Sequence, residues 1–334
     1  MMAGAAASKT ASAESELMPT LLEILRRPIA ANFRALCSAV HSQPVNDETA
    51  SVVDPSDFVL LTALLQTVLR IPATQAANHQ VASIIANTGL MRLGVSLYSW
   101  SDSLSHDSSD PIYGELSILF LLTLSTLPMV AQHLAVDGIL SHLSSANLST
   151  YYRHPSGKGP FETPLRLHSI WTRGILPLCL NLLEHVGPGI ASEVSSFLNS
   201  FPQQLRRAEA DLSVSSTAPS IRNPHAGSLT LTLGAETHSL ALISTVIERL
   251  RAAGPAIGVV ASEIPSLDYD RVVVKEEIGG ALRSRRALRE RIVPVGEREG
   301  VWARAKSETS GSETVLEERI VAELEGARDC LQGL

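Results

Sequence analysis

DPSDFVLLTALLQTVLR, residues 54–70, carries the signal that decides the fold class. Leu61, Leu64, Leu65, Val68 and Leu69 fall at i, i+3, i+4, i+7 and i+8, one face of a 3.6-residue helix. Pro55 fits the first turn, where its missing N–H costs no hydrogen bond, and Asp54 stands before it as an N-cap acceptor. The same spacing returns in Ile190, Val194, Phe197, Leu198 and Phe201, and again in Ile243, Val246, Ile247 and Leu250. Period-two alternation occurs only from Leu229 to Leu233 and runs straight into the last of these stripes, so it is read as helix.

Proline punctuates the rest of the chain in the same way. Pro28, Pro111, Pro188 and Pro202 also fit first-turn positions, Asp110 precedes Pro111 as a second cap, and Gly187 suits a C-cap before Pro188. Helix starts near 17, 28, 55, 74, 90, 111, 137, 164, 188, 202, 228, 268 and 313 give pairs recurring every roughly 40 residues. That interval suits HEAT and armadillo units, whose helix pairs stack into a superhelix. An irregular bundle is the other reading, but a dozen helices exceed an ordinary bundle. The expected fold is therefore all-α, a right-handed α-solenoid of degenerate HEAT/armadillo-like repeats. Its expected parts are an Ala/Ser-rich disordered lead-in at 1–16 and a single solenoid over 17–306, with loops at about 153–164 and 213–227. A tethered amphipathic capping helix at 313–334 completes it. Pro177, with Gly174 one turn before it, predicts a bend in the helix that carries Trp171, Ile175, Leu178, Cys179 and Leu182.

Composition supports a folded, helical chain. Of 334 residues, 45% are hydrophobic and 18% charged, with mean hydropathy +0.14, which excludes global disorder. Aromatics at 4% leave few surfaces for stacking bases, and a net charge of -7 opposes the phosphate neutralisation that non-specific nucleic-acid binding needs, so no specific nucleic-acid partner is expected. The most membrane-like stretch, Ile112 to Ala131, is interrupted by Glu115 and Pro128, so it reads as a buried central helix rather than a transmembrane segment.

No motif for catalysis, cofactor or metal emerges. Gly157-Lys158-Gly159 lacks the Ser/Thr and the upstream glycine of a phosphate loop. Cys37, Cys179 and Cys330 are far apart, and His133 and His142 are nine residues apart, which puts them on different faces or helices. Glu276 with Glu277, and Asp268 with Asp270, stand among charged residues without the burial that a catalytic carboxylate needs. The strongest polar feature is RSRRALRERI, with Arg283, Arg285, Arg286, Arg289 and Arg291 on one predicted helix. A solvated face, a dock for an acidic partner and a nucleic-acid patch compete for it, and Glu290, Glu297 and Glu299 dilute its field. The last helix sets Leu316, Ile320, Leu324, Ala327 and Leu331 on one face and Glu317, Glu318, Glu323 and Glu325 largely off it. Such a helix either caps the final core layer or swings out as a partner helix.

Beyond these physical readings, LRLHSIWTRGILPLCLNLLEHVGPGIASEVSSFLNSFPQQLRRAEADL, Leu165 to Leu212, resembles the C-terminal tail of fungal scaffold nucleoporins of the nucleoporin 188 family. HSLALISTVIERL, His238 to Leu250, and RSRRALRERIVP, Arg283 to Pro294, resemble the same region in the same order. Members are far longer chains, so the resemblance covers only the end of such a protein. It implies a HEAT/armadillo solenoid in the inner ring of the nuclear pore complex at the nuclear envelope, a structural scaffold and not an enzyme. The implied partners are a linker nucleoporin of the nucleoporin 93 type, and FG-repeat nucleoporins or transport receptors. The competing function is a karyopherin-like or adaptor solenoid carrying soluble cargo.

Overall fold

The computed structural model describes residues 18–42, 54–72, 74, 77–101, 110–155, 157–213, 225, 227–254, 264–308 and 313–332. The proposed lead-in at 1–16 and most of the 213–227 loop lie outside them. The described residues are helical apart from turns and two isolated bridges, as the apolar spacing requires. The chain divides into two compact units, Met1–Leu143 and Ser144–Leu334.

In the first unit the helices are α1 (Asn32–Ser42), α2 (Pro55–Leu69), α3 (Asn78–Thr88), α4 (Leu90–Trp100), α5 (Ile112–Leu124) and α6 (Pro128–Val136). A seventh, α7 (Ile139–Ser145), reaches the division. A π-helical segment, Leu25–Ala31, leads directly into α1. Pro28 sits inside that segment, so it does not start a helix as its sequence context suggested. A π turn widens the helix by one residue, which accommodates a proline without an i−4 bond. Asp54 caps α2 as expected, its Oδ1 accepting the Ser56 N–H at 2.9 Å. Asp110 does not cap α5; Pro111 holds that position, and the Asp110 carbonyl accepts the Ile112 N–H at 2.8 Å.

The α5 helix is the centre of this unit, packed against α2 and α4, with Ile118, Phe120, Leu121 and Leu124 fully buried. Phe120 stacks on Phe33 with ring centroids 3.9 Å apart, and Phe33 meets Phe58 edge-on at 5.5 Å. Among the described residues no single helix is long and apolar enough to cross a membrane. Only α3 and α4 together reach that length and composition, and they bend by 51° between them.

The second unit contains α8 (Leu148–Tyr152), α9 (Leu165–Ser169), a π-helical segment Ile170–Ile175, α10 (Leu176–Val186), α11 (Pro188–Asn199) and α12 (Pro202–Leu212). It continues with α13 (Leu231–Ala253), α14 (Arg271–Arg283), α15 (Arg285–Arg291), α16 (Gly296–Arg304) and α17 (Val315–Gln332). The distortion expected at Pro177 takes the form of the π segment upstream of it, where the Leu176 N–H reaches back to the Trp171 carbonyl. Gly187 joins α10 to α11 at φ +72°, a left-handed conformation that costs glycine little.

Trp171 is fully buried against Tyr152 and Phe201, with ring centroids at 5.4 and 5.6 Å. The alternation at Leu229 to Leu233 splits: Leu229 forms a parallel bridge with Ile292, and the helix begins at Leu231 behind the Thr230 cap. That cap oxygen accepts the Leu233 N–H at 3.1 Å. The α13 helix is the spine of the unit, contacted by α10, α11, α12 and most extensively by α17.

Candidate protein-binding surface

The loop that superficially suggests phosphate binding is clamped by one side chain. Gln204, fully buried on α12, accepts the Lys158 N–H at 2.7 Å and donates Nε2 to the Lys158 carbonyl at 2.9 Å. Lys158 turns its ammonium to the Thr163 carbonyl at 3.2 Å. The Lys158 backbone is therefore satisfied by the protein itself.

Beneath that loop lies a polar cluster that sequence spacing does not reveal. Arg207 Nη2 contacts both carboxylate oxygens of Glu236, and Arg207 Nη1 donates to Asp211 Oδ2 at 2.7 Å. His168 Nε2 lies 3.0 Å from Glu236 Oε2. Burial opposes ionisation of Glu236, but the Arg207 charge and the hydrogen bonds of His168 and Arg207 outweigh it, holding the carboxyl at about 2. Burial pushes the His168 imidazole below its usual value, with Glu236 partly offsetting it. Its Arg207, Glu236 and His168 members tie α9, α12 and α13 together and are sealed from solvent, with Asp211 at the rim, so the cluster serves packing. Among the described residues no group of three or more His, Cys, Asp or Glu side chains is arranged to hold a metal ion.

Three of the four carboxylates weighed for acid/base work, all but Glu276, have other partners. Asp270 caps α14, accepting the Val272 and Val273 N–H groups at 3.0 and 3.1 Å, and Asp268 lies 3.5 Å from Arg206. Glu277 accepts a hydrogen bond from Ser213 at 3.1 Å.

The five arginines of the basic stretch separate into two sets. Arg285 pairs with Glu325 of α17 at 3.1 Å, and Arg289 grips the buried Glu317 through Nε and Nη2 at 2.8 and 3.0 Å. Arg291 donates to the carbonyls of Gly227 and Leu212 at 2.7 and 2.9 Å. These three join α15 to the rest of the unit. Arg283 is exposed and has no hydrogen bond or ion pair among the described residues, while Arg286 is 92% exposed and pairs only with Glu290 on its own helix. The acidic α17 is thus the partner that two of the five arginines, Arg285 and Arg289, already meet. Leu316, Ile320, Leu324 and Ala327 of α17 are fully buried against the unit.

Beside α17 runs an open groove of about 1070 Å³, between the end of α13, the exposed side of α14 and the end of α17. Val272, Lys275, Gly279 and Arg283 line it from α14, Ala252 from α13, and Arg328 and Leu331 from α17. A second pocket, of about 430 Å³, lies in the first unit under the exposed Trp100 and is walled by Met91, Val95, Leu134 and Ile139.

Helices packed in succession, with buried charges joined for packing and open grooves on the surface, define an all-α fold of the solenoid class. A comparison with known families makes this specific: residues 2–331 match the profile of the nuclear pore protein NUP188 C-terminal domain, and the chain belongs to that family. It is 36% identical to nucleoporin NUP188 of Chaetomium thermophilum over 353 residues, which is 94% of this chain and 18% of that protein. It is 28% identical to nucleoporin NUP188 of Saccharomyces cerevisiae, over 56% of this chain and 11% of that protein. The chain therefore spans less than a fifth of the length of these relatives. A solved structure of Nup188 residues 1445–1827 from Myceliophthora thermophila superposes with a TM-score of 0.78 at 39% identity. That likeness covers 93% of this chain and 84% of the solved one.

Proposed function

We propose that this chain works as a structural part of the nuclear pore scaffold, in the inner ring, without turnover or cofactor. Its task is to dock a helical segment of a linker nucleoporin of the nucleoporin 93 type. The observation that carries the reading is the likeness to the solved NUP188 C-terminal fragment over nearly the whole chain. Helix-in-groove docking needs a preformed trough, and the groove beside α17 is one, with Ala252, Val272 and Leu331 set among charged side chains. Within the basic stretch, Arg283 and Arg286 are the members that reach a partner, and Arg285, Arg289 and Arg291 hold the face in place.

FG-repeat chains present single aromatic side chains, and the Met91, Val95, Leu134 and Ile139 walls of the Trp100 pocket offer them apolar contact. Affinity capture with a linker-nucleoporin fragment at low and moderate salt tests the docking. Retention of the chain together with a tagged copy concentrated at the nuclear rim supports the reading. Loss of capture at both salt concentrations, or a diffuse, rapidly exchanging tagged copy, opposes it.

A further inference from the structure

A third pocket, of about 490 Å³, opens in the first unit between the end of α2, the start of α3 and the junction of α5 with α6. Its volume lies in the range of sites that hold a ligand. Leu69 and Leu127 are buried in its wall, and Leu119 and Leu122 are half-buried beside them. Several polar side chains of the lining are already engaged with one another or with backbone. Gln66 donates Nε2 to Thr123 Oγ1 at 3.2 Å, Thr123 donates to the Leu119 carbonyl at 2.9 Å, and Thr126 donates to the Thr123 carbonyl at 2.8 Å.

Two lining residues remain unsatisfied. Asn78 opens α3, and its Oδ1 is closed to solvent without a hydrogen-bond partner among the described residues. A buried acceptor in that state costs stability, so a donor from outside the chain is needed to complete it. Arg70, the C-cap of α2, is exposed, and its guanidinium has no hydrogen bond or ion pair among the described residues. No Asp or Glu lines the pocket, so the charge of Arg70 is uncompensated there.

The pocket therefore offers an apolar wall, a lone acceptor and a lone cation. Water can supply the donor but neither of the other two contacts. The last residue of a polypeptide carries the complement of all three in one unit: a side chain, an amide N–H and a terminal carboxylate. The guanidinium fork matches the two oxygens of that carboxylate, whereas the ammonium of a chain's other end would be repelled. A last residue in helical conformation spends its N–H on its own helix, so the end that fits is extended.

We infer that this pocket captures the free C-terminus of another polypeptide, extended and ending in an apolar residue such as Leu or Val. Its carboxylate sits on Arg70, its last N–H donates to Asn78 Oδ1, and its last side chain packs against Leu69, Leu119, Leu122 and Leu127. The inference is independent of the linker reading, which rests on the groove beside α17.

The test uses the full chain and a pool of N-terminally fluorescent hexapeptides, random except for a final Leu, made both as free acids and as C-terminal carboxamides. In fluorescence anisotropy the free acids are expected to bind at least about tenfold more tightly than the carboxamides, with an affinity that falls as salt rises. Arg70→Gln removes an exposed side chain, so it is expected to keep the unfolding midpoint and to lower the free acids to the level of the carboxamides. Asn78→Ala is expected to weaken the free acids about tenfold or more while keeping or raising the midpoint, because it removes an unsatisfied acceptor.

Equal affinity for acids and carboxamides, or no binding of either by wild type up to about 1 mM, overturns the inference. Undiminished binding of the acids by a folded Arg70→Gln or Asn78→Ala variant does the same. N-acetyl-leucine that binds as tightly as the peptides assigns the pocket to a small acid and likewise overturns it. Concentration-dependent self-association that Arg70→Gln abolishes assigns it to a second copy of this chain, with the same result.

Discussion

Arg207 on α12 and Glu236 on α13 form a bidentate ion pair with both side chains removed from solvent, 6% and 0% exposed. The two residues are 29 apart in sequence, and Glu236 lies on the inward side of a helix otherwise lined by Leu240, Ala241 and Ile243. A charge buried there is tolerable only because its partner is buried with it.

Removing one member should therefore cost far more than removing both. Arg207→Met leaves the buried Glu236 without its cation, with only the His168 ring beside it, and is expected to lose about 3 to 5 kcal/mol of unfolding free energy. The double variant Arg207→Met/Glu236→Leu is expected to recover most of that loss in urea denaturation. Additive losses would show that the pair is not coupled.

His168 makes the same cluster sensitive to pH. Its folded value lies below the usual 6.5, so as pH falls through 6.5 the unfolded chain takes up a proton that the folded chain refuses, and stability drops. The slope approaches about 1.4 kcal/mol per pH unit for one such group. Below the usual 4.5 of a glutamate, Glu236 adds a loss of the same sign, continuing towards about 2. Asp211, raised by burial against the pull of Arg207, works in the opposite sense. His168→Gln keeps a donor for Glu236 and removes the proton site. Unfolding midpoints measured between pH 7 and pH 5 should fall for wild type and stay nearly level for this variant.

Trp171→Ala opens a cavity between Tyr152 and Phe201 in the second unit. A fully buried aromatic truncated in this way costs about 3 to 5 kcal/mol. A loss under about 1 kcal/mol would mean that the ring is not part of the core.

The basic stretch should divide in two under alanine scanning. Arg286→Ala removes a side chain that is 92% exposed, and the unfolding midpoint is expected to stay within error. Arg289→Ala strips a two-point hydrogen bond from the buried Glu317, and the midpoint should fall measurably. The reverse order would place Arg289, not Arg286, on the free face.

Two glycines on helices test whether space or propensity governs. Gly280→Ala meets no neighbour and is expected to stabilise the protein by up to about 1 kcal/mol. Gly326→Ala must displace the His238 ring, which pairs with Glu323 at 2.8 Å, so the gain should vanish or reverse. In a His238→Ala background the gain at Gly326 should return, a coupling that denaturation of the four proteins in the cycle would detect.

How far the fold could be read in advance varied by element. The helices α2, α11 and α13 were legible because their apolar residues repeat at 3.6, and Asp54, Pro55 and Gly187 mark ends through backbone chemistry acting over a few residues. Pro28 misled, because a proline's missing N–H suits a helix start and a π turn equally, and only the surrounding contacts choose between them. The Gln204 clamp on Lys158 and the Arg207–Glu236–His168 cluster left no local trace, since their members lie 29 to 68 residues apart.

By itself, then, the sequence determined that this chain is helical, where most of its helices begin, which faces are apolar, and that it resembles a nucleoporin tail. Tertiary structure alone decided which charges are spent inside and which remain outside. Arg283 and Arg289 are indistinguishable as letters in RSRRALRERI, yet one lines an open groove and the other grips a carboxylate that is 1% exposed. The reason is physical: periodicity reports which way a side chain faces from its own helix, and only the packing of helices distant in sequence settles what it meets there.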